Sequence, residues 1–292
     1  MPDRPRPPAK NVGASVRQRL LNLAHTRGQP MELLLTRYAL ERLLHRLSLS
    51  PHRERFVLKG AMLLATWFDE PHRATRDVDL LGFGDAAEDA LLATFREIMA
   101  IEVDDGVSFD LKGLRIEAIR EEIEYGGSRL RTTAALAGAR IPITVDIGFG
   151  DAVEPGIEDI DLPVLLGAPS PHLRAYPPET VIAEKFHAMV VLGRANSRMK
   201  DYYDVLMLMS TFELNPGRMR QAIEATFARR KTEVPVAVPD GLSDEFCADA
   251  GKRLQWEAFT RALSGQLPEL DFVVRELRVR LTVFIATRGD RP

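Results

Sequence analysis

Two aspartates one residue apart, Asp77 and Asp79, interrupt the apolar stretch "ATRDVDLLGFGD". In a strand, side chains alternate between faces, so both carboxylates share one face while Val78 and Leu80 take the other. They then stand roughly 6–7 Å apart along the strand. Like charges held that close to a core repel, so a positive group is expected beside them. A divalent cation, Mg²⁺ or Mn²⁺, answers this demand, because oxygen donors suit hard cations that bridge protein to phosphate. A third carboxylate, Asp146, lies mid-run in "IPITVDIGFGD" between Val145 and Ile147, where water is scarce and a carboxylate needs a partner or a metal. Asp151, beyond two glycines, is expected in a loop.

The elements that must position these groups can be read around them. "RFVLKG" is a short strand ending at Lys59-Gly60, and "AMLLATWF" a helix behind it. Glycine at such a turn lets a ligand approach the backbone. The N–H groups of Gly60 and Ala61, at the helix N-terminus, suit a phosphate. "VSFDLKGLRIEAIRE" and "LRTTAALAGARIPITVDIGFGD" carry β-type runs assigned to the same sheet. From Pro169 the chain turns helical, with spans expected at 178–193, 199–213, 216–230, 243–264 and 268–286, and "PSPHLRAYPP" as the boundary loop. On the first of these helices Lys185 falls inside the apolar arc, and His187 falls on the polar side with Glu184 and is no candidate base. A lysine in an apolar arc needs an anion or must snorkel outward. Asp201 and Asp204 share a face of the next helix. Asp201 suits the helix N-terminus electrostatically, and Asp204, lying deeper, can pair with Lys185. Arg198 and Lys200 just before them could meet phosphate or RNA.

The fold class expected is mixed α/β: a sheet core over 55–168, a basic N-terminal helical segment over 1–54 with a disordered start, and a helical region over 169–292. The chain has 292 residues, 45% of them hydrophobic, which allows one large or two ordinary domains. A single cysteine, Cys247, excludes an internal disulfide framework and points to a reducing, cytoplasmic setting. No His or Cys pair has zinc-ligand spacing, and neither a secretory signal nor a membrane span is evident. Charge is uneven: residues 1–60 hold twelve Lys/Arg against four acids, a net +8 against −11 for the remainder. A basic segment attracts a polyanion, so Arg17, Arg19, Arg37, Arg42 and Arg46 are candidate RNA contacts, an ordinary solvated helix face being the alternative.

In order, "FVLKGAMLL", "RATRDVDLL", "ITVDIGFGD", "YPPETVIAEKFHAMV" and "MKDYYDVLML" resemble the AbiEii/AbiGii toxin family of bacterial abortive-infection toxin–antitoxin systems and the related mycobacterial MenT toxins. The resemblance covers about 55–210. It implies a nucleotidyltransferase fold with metal-bound NTP, Asp77, Asp79 and Asp146 at the metal, Lys185 and Asp204 in the catalytic set, and Lys59, Gly60, Ala61, Arg73 and Thr75 near the nucleotide. Gly60-Ala61 departs from the Gly-Gly or Gly-Ser that often follows the lysine: Ala61 keeps its N–H but offers the triphosphate no hydroxyl. The resemblance further implies a cognate antitoxin and an acceptor hydroxyl, either on RNA, such as a tRNA 3′ end, or on a protein. Two other classes fit the residues: a non-catalytic RNA- or protein-binding module on a degenerate fold, and a glycosyltransferase using Asp-x-Asp.

Overall fold

The structure is a computed structural model, and it describes residues 11–68, 75–119, 127–261, 263 and 267–284. The chain divides into two compact units. The first comprises residues 1–69, 74–150 and 159–174, and the second 70–73, 151–158 and 175–292.

The first unit opens with helices α1 (Val12–Arg27) and α2 (Met31–Leu49). Strand β1 (Phe56–Lys59), helix α3 (Gly60–Trp67), strand β2 (Val78–Gly82) and helix α4 (Glu88–Met99) follow. Then come β3 (Val107–Phe109), β4 (Arg115–Ile119), β5 (Gly127–Leu136), β6 (Ala139–Phe149), β7 (Glu158–Asp161) and β8 (His172–Ala175). Among the described residues these form one sheet in the order β3-β5-β6-β2-β1-β8-β7, with β4 also on β5. β2 runs parallel to β6 and antiparallel to β1. β5 and β6 form a hairpin whose loop is Ala137-Gly138, both at positive φ (44° and 83°). That is the signature of the two-residue turn whose twist matches the flanking strands. The segment expected as a boundary loop contains β8: its alternation, with Leu173 and Ala175 buried, places it beside β1 despite the flanking prolines.

The sequence reading sets residues 1–54 apart from the core, but α1 and α2 cluster with the sheet. Leu20, Leu40 and Leu44 are fully buried, and the Tyr38 hydroxyl donates to the Asp105 carbonyl at 3.0 Å. This corrects two of the RNA candidates. Arg42 and Arg46, four and eight residues after Tyr38, follow it along the inward stripe and are buried. Arg46 grips the Asp105 carboxylate at 2.7 and 3.2 Å and donates to the carbonyls of Ile101 and Val107. Arg42 donates to the Pro169 carbonyl at 3.0 Å. Arg37 pairs with Glu41 at 2.9 Å. Arg17 and Arg19 remain exposed, donating to the carbonyls of Ala137 and Leu166. Charge counting cannot separate a solvated arginine from one that holds a helix to its sheet.

The second unit is helical: α5 (Pro178–Leu192), α6 (Met199–Thr211), α7 (Pro216–Arg229), α8 (Asp244–Ala248), α9 (Ala250–Thr260) and α10 (Leu270–Thr282). α5 packs on α6 and α7, and α6 on α9 and α10. The span expected as one helix over 243–264 is two. Ser243 caps α8 by accepting from the Phe246 N–H, and Asp249 ends it and caps α9 by accepting from the Lys252 N–H. His187, expected on the polar side of α5, is buried against the Phe227 ring of α7, with the Thr232 hydroxyl at 2.6 Å and Arg230 at 3.3 Å. Burial, then the Arg230 charge, push its pKa down from 6.5 to about 4. A depressed histidine pKa means the unfolded chain takes up the proton first. The neutral ring therefore contributes stability that is complete above pH 6.5 and lost as pH falls toward 4. His187→Gln should flatten that part of the pH–stability curve, by about 3 kcal/mol on the scale of 1.4 kcal/mol per unit. Urea titrations from pH 7 to 4 would reveal it; identical slopes for both proteins would refute the assignment.

Candidate active site

The strand expected from Arg76 begins two residues late: β2 starts at Val78, so Asp77 precedes it, its carboxylate within 3.3 Å of the Thr75 hydroxyl. Asp79 lies inside the strand. Its register partners are Lys59 on β1 and Asp146 on β6, and the register partner of Asp146 on β5 is Arg129. Directly opposed residues put their side chains on the same face. Lys59, Asp79, Asp146 and Arg129 thus form one row across four adjacent strands, with signs plus, minus, minus, plus. All four are half-exposed, while Val78, Leu80, Val145 and Ile147 on the other face are buried.

Sequence reasoning missed Arg129. Its guanidinium grips both Asp146 oxygens, at 2.7 and 2.6 Å. That hydrogen bonding, outweighing desolvation and helped by the charges of Asp146 and Asp77, holds the Arg129 pKa above its usual value. The chain itself thus supplies a positive group to Asp146, the third carboxylate. The signal for it was countable: a two-residue turn at Ala137-Gly138 pairs Leu136 with Ala139, and seven steps further it pairs Arg129 with Asp146.

At the other end of the row, Gly60 begins α3 with φ +69°. A Cβ there would overlap the Asp79 carboxylate, falling 2.6 Å from its Cγ. The carboxylate lies over the glycine at the positive end of the helix, where an anion is favoured. Gly60→Ala therefore carries two penalties: about 1–2 kcal/mol of left-handed strain, and displacement of Asp79. It should lower thermal stability and metal or nucleotide binding together. Normal values of both would show that this close approach is dispensable. Ala61 is the second residue of α3. Arg73 lies outside the described residues.

In the second unit, the Lys185 ammonium of α5 is shared by Asp201 at 2.6 Å and Asp204 at 2.9 Å, both on α6. Its side chain is 13% exposed, and those of the two aspartates 0% and 3%. Arg198 also pairs with Asp201, at 2.7 Å. Burial favours the neutral forms, yet the carboxylates outweigh it and raise the Lys185 pKa, while Lys185 and Arg198 outweigh it and lower that of Asp201. The lysine in the apolar arc thus has its anions within the same unit. Lys200 is exposed. Asp151 accepts from the Tyr176 hydroxyl at 3.1 Å.

Asp77, Asp79 and Asp146 offer oxygen donors only, a chemistry that fits Mg²⁺. Among the described residues, though, no three acidic, His or Cys side chains are gathered as a ready metal cluster, and Arg129 occupies both oxygens of Asp146. Nor is any described helix long and apolar enough to cross a membrane.

The fold is similar to several solved structures. These include JHP933 from Helicobacter pylori, at 16% identity and TM-score 0.48, covering 87% of this chain and 92% of that one. A candidate nucleotidyltransferase from the same organism is similar at 18% identity and TM-score 0.47, covering 84% and 91%. A third is an antigenic nucleotidyltransferase-like protein from Paracoccidioides brasiliensis, at 13% identity and TM-score 0.39, covering 65% and 89%. No curated protein matches the chain. The family model for the nucleotidyl transferase AbiEii toxin of type IV toxin–antitoxin systems matches residues 42–276, a span that takes in the sheet, the acidic row and the Lys185 cluster, and the chain belongs to that family.

Proposed function

We propose that the protein transfers an NMP group from an NTP to an acceptor hydroxyl, as the toxin of a toxin–antitoxin pair. Among the family's chemistries the observation that carries this reading is the juxtaposition of Asp79 with Asp146 on adjacent strands, beside the Gly60 turn and the N-terminus of α3. Asp77, Asp79 and Asp146 would hold Mg²⁺ or Mn²⁺, which when bound neutralises phosphate charge. Gly60 and Ala61 offer backbone N–H groups to the triphosphate. Lys59 stands in the same row, and Thr75 touches Asp77. The acceptor oxygen attacks the α-phosphorus, the bond to the β-phosphate oxygen breaks, and pyrophosphate leaves. For Lys185 and Asp204, membership of the family supports a part in this chemistry, with Asp204 setting the charge around the lysine.

The acceptor we propose is RNA, with a tRNA 3′ end as the first to try. Arg17 and Arg19 are the exposed basic contacts left to it, since Arg42 and Arg46 are internal and Arg37 is paired. A second reading, a binding module without activity, is favoured by one observation, the occupation of Asp146 by Arg129. Incubating the protein with each labelled NTP, Mg²⁺ and total tRNA separates the two. Label in RNA or protein that depends on Mg²⁺ supports the transferase; no label in either from any NTP supports the module.

A further inference from the structure

Across the sheet, the two acids of the row are each flanked by a base on the outer neighbouring strand. The two ends differ in kind. Lysine is a compact point charge on a flexible stem, whereas a guanidinium matches a carboxylate bidentately and occupies both its oxygens. Arg129 does this to Asp146, and its side chain is 36% exposed against 18% for the acid. A guanidinium on both oxygens takes a lone pair of each and sets a positive charge beside any cation there, so it opposes cation binding, and its exposure leaves it room to swing away.

We propose that Arg129 is a built-in competitor of the divalent cation: it closes Asp146 in the metal-free protein, and the cation must displace it to complete the carboxylate set. The inference rests on the transferase reading above for the presence of a cation. It goes beyond that reading by assigning Arg129 a positioning role, with metal affinity set by the strength of one ion pair. In this arrangement the acidic row is never left uncompensated. The guanidinium neutralises it when metal is scarce, and loading occurs above a threshold that Arg129 determines.

The test is Mn²⁺ binding to the full chain, followed by the loss of the free-ion electron paramagnetic resonance signal, for wild type, Arg129→Gln, Arg129→Lys and Asp146→Asn. Arg129→Gln should bind Mn²⁺ about two- to fivefold more tightly, the scale of a part-exposed bidentate pair. Arg129→Lys, which keeps the charge but loses the fork, should fall between. Asp146→Asn should bind more weakly than wild type. Thermal unfolding gives an independent readout: Arg129→Gln should lose stability in chelator, and Mn²⁺ should raise its Tm by more than it raises that of wild type. A merely structural arginine would not produce a gain in metal affinity. If wild type binds Mn²⁺ and Arg129→Gln, folded, binds it no better, or if Asp146→Asn binds as wild type does, the competitor role is overturned while the transferase reading stands. If neither wild type nor folded Arg129→Gln binds, both fall.

Discussion

Asp79→Asn and Asp77→Asn, made singly, should each reduce nucleotidyl transfer by about 1,000-fold or more, the upper end of what one preorganised electrostatic contact contributes. Asparagine keeps the shape of the side chain and removes only the charge that would hold the cation. The two variants should differ in stability. The Asp79 carboxylate lies over Gly60 at the start of α3 and opposite Lys59, so neutralising it forfeits a helix-terminus interaction of about 1 kcal/mol. It also relieves repulsion with Asp146, its neighbour on β6, and the two effects oppose each other. Asp77, outside the strand and near the Thr75 hydroxyl, has less to lose. Both proteins should unfold within a few degrees of wild type, since about 1 kcal/mol moves Tm by only about 2–4 °C in a chain of this size. Label transfer and thermal unfolding on the same preparations make the comparison. Near-normal turnover in a well-folded variant would remove that aspartate from the proposed metal site. Lost turnover with a collapsed Tm would make its role structural.

Lys185→Met is the second large effect, and it is first an effect on folding. By length and apolar surroundings methionine fits the position. The ion cluster changes that expectation. Asp201 and Asp204 are buried and share the ammonium, so removing it strands negative charge in a low-dielectric interior. Losing one partner of a buried pair costs about 3–5 kcal/mol. Arg198 can still compensate Asp201, so the double variant Lys185→Met/Asp204→Asn should recover most of the loss. Urea unfolding of the two variants tests this, and equal stability of single variant and wild type would refute it. The rescued double variant then isolates chemistry from folding. A transfer rate more than about 100-fold below wild type in a protein of restored stability would support a role for the lysine or Asp204 at phosphate, and wild-type turnover would confine both to the α5–α6 interface.

The site was legible in the sequence where chemistry and local geometry coincide. Asp79 in an apolar strand, Gly60 at a strand-to-helix turn and Asp146 between Val145 and Ile147 each carry a local demand that residue type alone exposes. The inward position of Lys185 followed from helical spacing. What stayed hidden depends on partners distant in sequence. Arg129 sits seventeen residues before Asp146, and Asp105 fifty-nine after Arg46, and only the sheet register and the seating of α2 bring them together. β8 escaped because its flanking prolines mimic a linker, although they leave its four residues free to pair.

The hairpin between β5 and β6 is in effect a ruler. Its zero mark is the turn at Ala137-Gly138, and its reading, Arg129 against Asp146, is taken seven residues away, about 24 Å up the strand. Among the described residues no atom lies near enough to Gly138 to object to a side chain, so what binds that position is its positive φ. Surface turns are ordinarily where chains gain and lose residues most freely. This one cannot: a single added or deleted residue would move Arg129 to the opposite face of the sheet and bring a neighbour against Asp146. A length change at an exposed bend, touching nothing in the site, would rewrite the charge of the site, so in this protein the count of residues in a loop is itself part of the chemistry.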